Sequence, residues 1–501
     1  MCWRSTRSKA LGLTAAVAAA ALAFLLLYGW AVYRVPVTDI YLPASSWSDE
    51  VVYSKQLAAV VQYGAPQGYF GFNESHAPIG TFAAWGPAIF WMYALPGLLL
   101  RGQNAFIWCN LFFAVAGWVV FARAARLKAW QQAAFAVALG CLNAPIRYIF
   151  SAMQEPLHYA LVLAVTGTAV WVRRTGRRTA WAALCLLCAA ATLARPYNAA
   201  LWLYPLALAW PRRRTVAGCL AGAAVSLGGT LVLMSRFYAP YFFENVDLAP
   251  LRMLAHFEVL SAVRYTAGKL AAALTQAGQE IAGALAGQGG GYYLAFALLA
   301  VLTLACLVWD AYHRRPLFWK TCALTVALAV FLALMLLYRT AEASRHTLVP
   351  DILLLAALLL ENPRPAAGAA AGAAALALAG VLALTANGGF ALPPYRAELA
   401  AEVDALHAAL AESQQAVTGS DPWDRTIAYS FGDAAAVGML YAAPDGMGLQ
   451  FDEAAYLQDT DHTIYARYMM TSPGSEVEQR LLAEGWTLLY QGEYATVYER
   501  P

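Results

Sequence analysis

The sequence predicts a mainly α-helical, polytopic membrane protein that ends in a small α/β domain. Three observations predict it. Hydrophobic residues fill 61% of the 501 positions and charged residues only 13%, whereas soluble domains carry about 25% charged residues. The apolar residues gather in runs of membrane-spanning length, with short basic runs between them. From about Asp421 to Pro501 the composition becomes that of a soluble domain. A net charge of +3 is too small to point to nucleic acid.

The eight cysteines exclude a disulfide framework, because all but Cys2 lie in apolar segments. Cys185 and Cys188 share a C-x-x-C spacing, but inside an apolar helix they read as small packing residues.

The chain opens with Arg4, Arg7 and Lys9, followed by an apolar run from about Ala10 to Tyr33. A signal peptide starts this way too. This run is long enough to span, and Trp30-Ala31-Val32-Tyr33 is a poor small-residue cleavage site. A retained first helix with a cytoplasmic N-terminus is expected.

The first external loop is expected over 34–103. Within it, 49–63 has the amphipathic pattern of a helix lying on the membrane surface. The Gly/Pro/Asn-rich pieces between Gly64 and Pro78 read as loops. The apolar segment 79–100 is interrupted by Pro87, Pro96, Gly80, Gly86 and Gly97. If it spanned, every later basic run would face outward, against the positive-inside rule. Those runs begin at Arg123, Arg173, Arg212 and Arg314. The segment is therefore expected to be juxtamembrane and non-spanning.

The remaining spans are expected at about 104–122, 130–150, 156–173, 179–194, 197–211, 215–235, 291–310, 317–338, 347–360 and 366–386. With the first helix this makes about 11 spans. A transmembrane domain thus covers 1–386, with a large external loop at 236–290 whose Ala/Gly-rich part, 270–287, reads as mobile. Residues 387–420 form a helical linker, in which Leu399, Val403, Leu406, Leu410 and Val417 make one apolar stripe. In 421–501 the pattern predicts a strand at 426–431, a helix at 433–441 and a strand near 463–470. A helix at 475–484 and a hairpin over 487–499 complete it. The domain shows no phosphate loop, metal-ligand spacing or nucleophile constellation.

This topology gathers charged groups on the outer face. Asp49 and Glu50, in Trp47-Ser48-Asp49-Glu50-Val51-Val52-Tyr53, sit just beyond the first span. An acidic pair there can serve as a base for an acceptor hydroxyl, or as a metal ligand. The bland alternative is a helix N-terminus capped by Ser48, with acids in its first turn. Glu155 opens a helix, and a first-turn acid is again the bland reading. Arg195 lies at a hairpin tip, and Arg339, Arg345 and His346 lie in a short loop. These cations suit phosphate oxygens, although arginines also snorkel at interfaces and a lone histidine is often structural. Lys55 and His76 in the first loop carry the same ambiguity. Interfacial charges of both signs on one face are a functional-site signal.

Ser48-Asp49-Glu50-Val51-Val52-Tyr53 resembles the Asp-Glu motif that opens the first external loop of the GT-C superfamily of polytopic glycosyltransferases. The likeness is to its protein O-mannosyltransferase and ArnT-like branches, which use polyprenyl-phosphate-linked sugars. The amphipathic stretch and the broken segment 79–100 are similar to that family's juxtamembrane helices. The resemblance covers roughly 1–360 and rests on short motifs and topology. The stretch from Asn73 to Pro87 departs from it by lacking a Lys-Pro-Pro, and 387–501 matches no assigned domain.

The resemblance implies an inverting transfer of a sugar from a polyprenyl-phosphate donor to an acceptor hydroxyl on a glycan, lipid or protein. Asp49 would be the base, and Glu50 a supporting acid or, with Asp49, a ligand to a divalent metal. Glu155 would orient the acceptor or a metal. Arg345, Arg339, His346 and Arg195 would hold the donor phosphate. The implied location is the plasma membrane, with the C-terminal domain extracytoplasmic. A lipid-linked glycan transporter or flippase is a competing class, but no internal repeat is evident and the charges sit at the rim rather than mid-span. A non-catalytic assembly protein using 421–501 to bind a partner is a third.

Overall fold

The computed structural model describes residues 2–40, 42–44, 48–68, 70–72, 80, 82, 86–100, 104–237, 249–286, 291–338, 344–360, 397–430, 434–458 and 461–501. Its helices, in chain order, begin with α1 (Cys2–Tyr28), α2 (Asp49–Tyr63), α3 (Gly86–Leu99), α4 (Ala105–Ala125), α5 (Ala129–Leu142) and α6 (Ala144–Ile149). Next come α7 (Glu155–Thr175), α8 (Arg178–Ala194), α9 (Leu203–Ala209), α10 (Arg213–Phe237), α11 (Ala249–Ala255) and α12 (Val259–Leu285). Then follow α13 (Tyr292–Tyr312), α14 (Phe318–Leu337), α15 (Leu348–Leu360), α16 (Ala397–Gln415), α17 (Ala434–Gly438), α18 (Ala454–Gln458) and α19 (Glu476–Ala483).

The chain is a multi-pass membrane protein. Among the described residues, five helices are long and apolar enough to cross a bilayer: α1 with its π-helical extension to Tyr33, α4, α10, α13 and α14. Other expected spans are shorter or broken. The run 130–150 is split at Asn143, which stands at φ 53 between α5 and α6. The run 197–211 is a 3-10 helix (Pro196–Trp202) followed by α9, and Pro205 lacks the N–H that a continuous α-helix would direct to Leu201. The expected span 366–386 lies outside the described residues. Helix α3 has 14 residues with Pro96 inside it, so it reaches about 21 Å against a hydrocarbon core of about 30 Å.

The reading of 270–287 as a loop is overturned. The Ala/Gly-rich run 270–287, read as a mobile loop, lies almost entirely in α12, a continuous 27-residue helix. Alanine has the highest helix propensity, and it outweighs the cost of Gly268, Gly278 and Gly283.

Two close contacts set the frame for the site. Helices α4 and α7 pack through glycines: a Cβ on Gly117 would stand 2.5 Å from the Ala160 Cα, and one on Gly167 2.9 Å from the Phe121 Cα. Small residues let membrane helices approach this closely. Asn110 of α4 then fixes the loop before α7, donating to the carbonyls of Ser151 (2.8 Å) and Met153 (2.9 Å). The Tyr93 hydroxyl of α3 donates to the Asn110 side-chain oxygen at 2.7 Å.

At the C-terminus lies a six-stranded sheet. Its strands are β1 (Phe70–Phe72), β2 (Thr426–Ser430), β3 (Gly448–Phe451), β4 (Tyr468–Thr471), β5 (Thr487–Gln491) and β6 (Thr496–Glu499), in the order β1-β3-β2-β4-β6-β5. The first four in that order run parallel, and β6 and β5 form an antiparallel hairpin. Sequence patterning missed β3 and β1. Strand β1 belongs to the segment between α2 and α3, where a Gly/Pro-rich stretch reads as loop, yet Phe70 pairs with Leu449 and Phe72 with Phe451. Helix α16 buries Leu399, Leu406 and Leu410.

Candidate functional site

The site is built where the start of α2, the loop before α7, the end of α8 and the 3-10 turn Ser344–Thr347 converge. Glu50 is the staple between the first two. It is fully buried, and its Oε2 accepts the amide hydrogens of Ala152 (2.8 Å) and Ala44 (3.2 Å). The Arg147 guanidinium donates to the Ala44 carbonyl and holds the same loop from α6. Ser48 occupies the N-cap position of α2, but its side chain makes no capping bond to the helix.

This stapling sets Asp49 beside Arg345. Arg345 Nη2 donates to Asp49 Oδ2 at 2.7 Å, and the two side chains keep 14% and 22% exposure. Deeper lies a second, fully buried cluster. Arg195 Nη2 donates to Glu155 Oε1 at 3.1 Å. Arg195 Nη1 donates to the Tyr197 hydroxyl at 2.8 Å and meets His346 Nδ1 at 2.6 Å. His346 Nδ1 also stands 3.9 Å from Glu155 Oε1. Glu155 Oε2 has no hydrogen-bond partner among the described residues.

Electrostatics define the protonation of this cluster. Arginine can only donate, so His346 Nδ1 accepts and the ring proton sits on Nε2. Burial, and then the positive charges of Arg195 and Arg345 and the nearby His158, hold His346 well below the ordinary histidine value. It is therefore a neutral ring with an Nε2–H donor. Tyr53, one turn after Asp49, feels the charges of both clusters. Burial and then the Asp49 carboxylate push its phenol well above the usual value, while Arg345 and Arg195 pull it back.

The structure thus brings Asp49, Glu155, Arg195, Arg345 and His346 together. It does not bring Lys55. Helical spacing puts Lys55 on the far side of α2 from Asp49, where its Nζ donates to the Ala443 carbonyl at 2.6 Å. Arg339 and His76 lie outside the described residues. Glu50 Oε2 accepts from two peptide amides, which gives this side chain a structural task in holding the loop before α7. Asp49 is engaged by a guanidinium. This pair does not fit a metal, and among the described residues no three His, Cys, Asp or Glu side chains are grouped to hold one.

Sequence reasoning missed Tyr53, Tyr197, Arg147 and Asp351. The last two carried a usable signal, an ionisable residue inside an apolar run. Asp351 in α15 is fully buried, and neither carboxylate oxygen has a hydrogen-bond partner among the described residues. The two tyrosines carried none, since aromatic residues are common throughout such segments.

The opposite end of the bundle is basic. Arg174 at the end of α7 donates to the Ala124 carbonyl at 3.1 Å, and the Arg173 guanidinium lies 4.4 Å from the centre of the Phe318 ring at the start of α14. The Lys320 ammonium pairs with Asp310 at 2.8 Å.

No protein-family profile matches the chain, and no curated protein sequence matches it. Among solved structures it is similar to ArnT from Cupriavidus metallidurans bound to undecaprenyl phosphate. The identity is 13% and the TM-score 0.49, with 97% of this chain and 98% of that chain covered.

Proposed function

We propose that this protein is an integral-membrane glycosyltransferase of the GT-C kind. It moves a sugar from a polyprenyl-phosphate donor to an acceptor hydroxyl on the extracytoplasmic face. One observation carries the reading: two acid–arginine pairs, Asp49–Arg345 and Glu155–Arg195, meet at one end of a membrane bundle whose other end is basic. By the positive-inside rule the basic end faces the cytoplasm, which supports an outward-facing site.

The chemistry follows from charge. Arg345 is half of an exposed-edge pair, so an arriving donor phosphate takes its guanidinium and releases Asp49. Asp49 then accepts the proton of the acceptor hydroxyl as its oxygen attacks the sugar's anomeric carbon. The acceptor C–O bond forms as the bond from the anomeric carbon to the phosphate oxygen breaks. The polyprenyl phosphate leaves with the bonding pair, and its added negative charge is met by Arg345 and the Nε2–H of His346. Attack from the face opposite the leaving group inverts the anomeric centre. Glu155 holds Arg195 in register and orients the acceptor.

The test uses purified protein and a panel of polyprenyl-phosphate sugars, following release of polyprenyl phosphate. Release from one donor that vanishes in Asp49→Asn supports the reading and names the sugar. Equal release by wild type and Asp49→Asn would sink it.

A further inference from the structure

Helix α2 has a second face that lines a cleft. Asp49, Tyr53, Gln56 and Val60 recur at 3–4 spacing on the side turned to the acid–arginine cluster. Ser54, Ala58 and Val61 recur at the same spacing on the opposite side, flanked by Lys55 and Gln62. That opposite side forms one wall of a cleft of about 710 Å³. The start of α4 forms a second wall with Phe106, α16 a third with His407, and the segment from Tyr441 to Met447 the last. Its volume lies within the about 300–1,000 Å³ of small-molecule sites.

The lining is amphipathic. Leu57, Ala58, Val61, Phe106 and Met447 give it an apolar floor. Around them stand donors and acceptors of both signs: the Lys55 ammonium, the Asp445 carboxylate, the Gln62 amide and the Ser54 hydroxyl. Lys55 is half-buried here, and desolvation pulls its pKa down to about 8. Lys55 and Asp445 balance in charge, so an ionised ligand gains nothing overall. A pyranose or furanose matches on both counts, with an apolar C–H face and hydroxyls that both donate and accept.

We infer that this cleft binds a neutral carbohydrate segment, and that the acceptor is an oligosaccharide longer than one or two units. The length follows from geometry. A helix with its side chains is about 10–12 Å thick, so a saccharide held behind α2 presents its reacting hydroxyl to Asp49 only by reaching past the helix. The acceptor role rests on the transfer reading above; the carbohydrate binding does not. The C-terminal domain gains a task from this, since Tyr441, Pro444 and Asp445 belong to it and form the outer wall. The domain is held there by bonds from the Lys55 Nζ to the Ala443 carbonyl and from the Tyr441 hydroxyl to Ser54 Oγ at 3.1 Å.

The experiment measures binding of a ladder of neutral oligosaccharides, from monosaccharide to hexasaccharide, to the full-length detergent-purified protein without donor. Mannose, glucose and arabinose series serve as probes, with calorimetry as readout. Ala58 is exposed on the cleft wall, so Ala58→Trp fills the cleft without removing a contact. Affinity in one series rises with length and falls at least about tenfold in Ala58→Trp. Should Ala58→Trp fail to fold, Gln62→Ala removes an exposed polar group and weakens binding about threefold. Wild-type affinity in both variants, or no binding by any series, overturns the inference. Binding that follows these rules without transfer from any donor removes the transfer reading and leaves the carbohydrate site standing.

Discussion

Arg345 Nη2 lies 2.7 Å from Asp49 Oδ2 although 296 positions separate the two residues. The pair closes the chain from the start of α2 to the turn before α15. Both side chains keep some exposure, whereas the Glu155–Arg195 pair beneath them keeps 1% on each side. The more exposed of the two ion pairs is the one that, under the transfer reading, exchanges its carboxylate for a donor phosphate.

Asp49→Asn keeps the shape of the side chain and removes the proton acceptor. Turnover is expected to fall by about 10²–10⁴-fold, with the melting temperature little changed. A rate assay beside a thermal melt checks it, and retained turnover in a folded protein would exclude Asp49 as base.

Arg345→Lys tests the phosphate role. A lysine keeps the charge but loses the planar fork, so the KM for donor is expected to rise about tenfold or more, with acceptor KM unchanged. Initial rates over a donor series read this, and a change confined to acceptor KM would reassign Arg345.

Glu155→Gln leaves the Arg195 guanidinium buried without its carboxylate. Breaking one side of such a pair costs about 3–5 kcal/mol. The loss should appear as a lower melting temperature, and Glu155→Gln/Arg195→Met should recover part of it. Equal melting of the wild type and the single variant would show that the pair is not structural.

His346 sets a pH dependence. Its folded-state pKa is depressed by burial and then by Arg195, Arg345 and His158. The unfolded chain binds its proton near pH 6.5, and the folded chain does not. The contribution is therefore complete above about pH 6.5 and is lost as the pH falls below it, by up to about 1.4 kcal/mol per pH unit. Melts between pH 7.5 and 5.5 should show a shallower slope for His346→Asn than for wild type.

Gly117→Val drives a branched side chain into the Ala160 backbone of α7. Overpacking costs about 1–3 kcal/mol, and the displaced α7 carries Glu155 with it. Both melting temperature and turnover should fall, whereas Gly12→Val, with open space around its Cβ position, should alter neither.

Composition and local periodicity determined the class of this protein. Runs of apolar residues must leave water wherever they are placed, so a mainly helical membrane bundle was legible at α1, α4, α10, α13 and α14. Several C-terminal elements were legible for the same reason, since the run of strand-forming residues Thr426, Ile427 and Tyr429 in β2 and the 3–4 spacing in α16 are set by near neighbours. Charge type and motif likewise marked Asp49, Glu155, Arg195, Arg345 and His346. Only the tertiary structure decided which of these touch and what each faces. It turned Glu50 toward the Ala44 and Ala152 amides and Lys55 toward the Ala443 carbonyl. It also took Phe70–Phe72 from an apparent loop into the C-terminal sheet. Those outcomes depend on hydrogen bonds and ion pairs between residues up to hundreds of positions apart. Local spacing carries no information about such partners, because they are selected by the packing of whole helices.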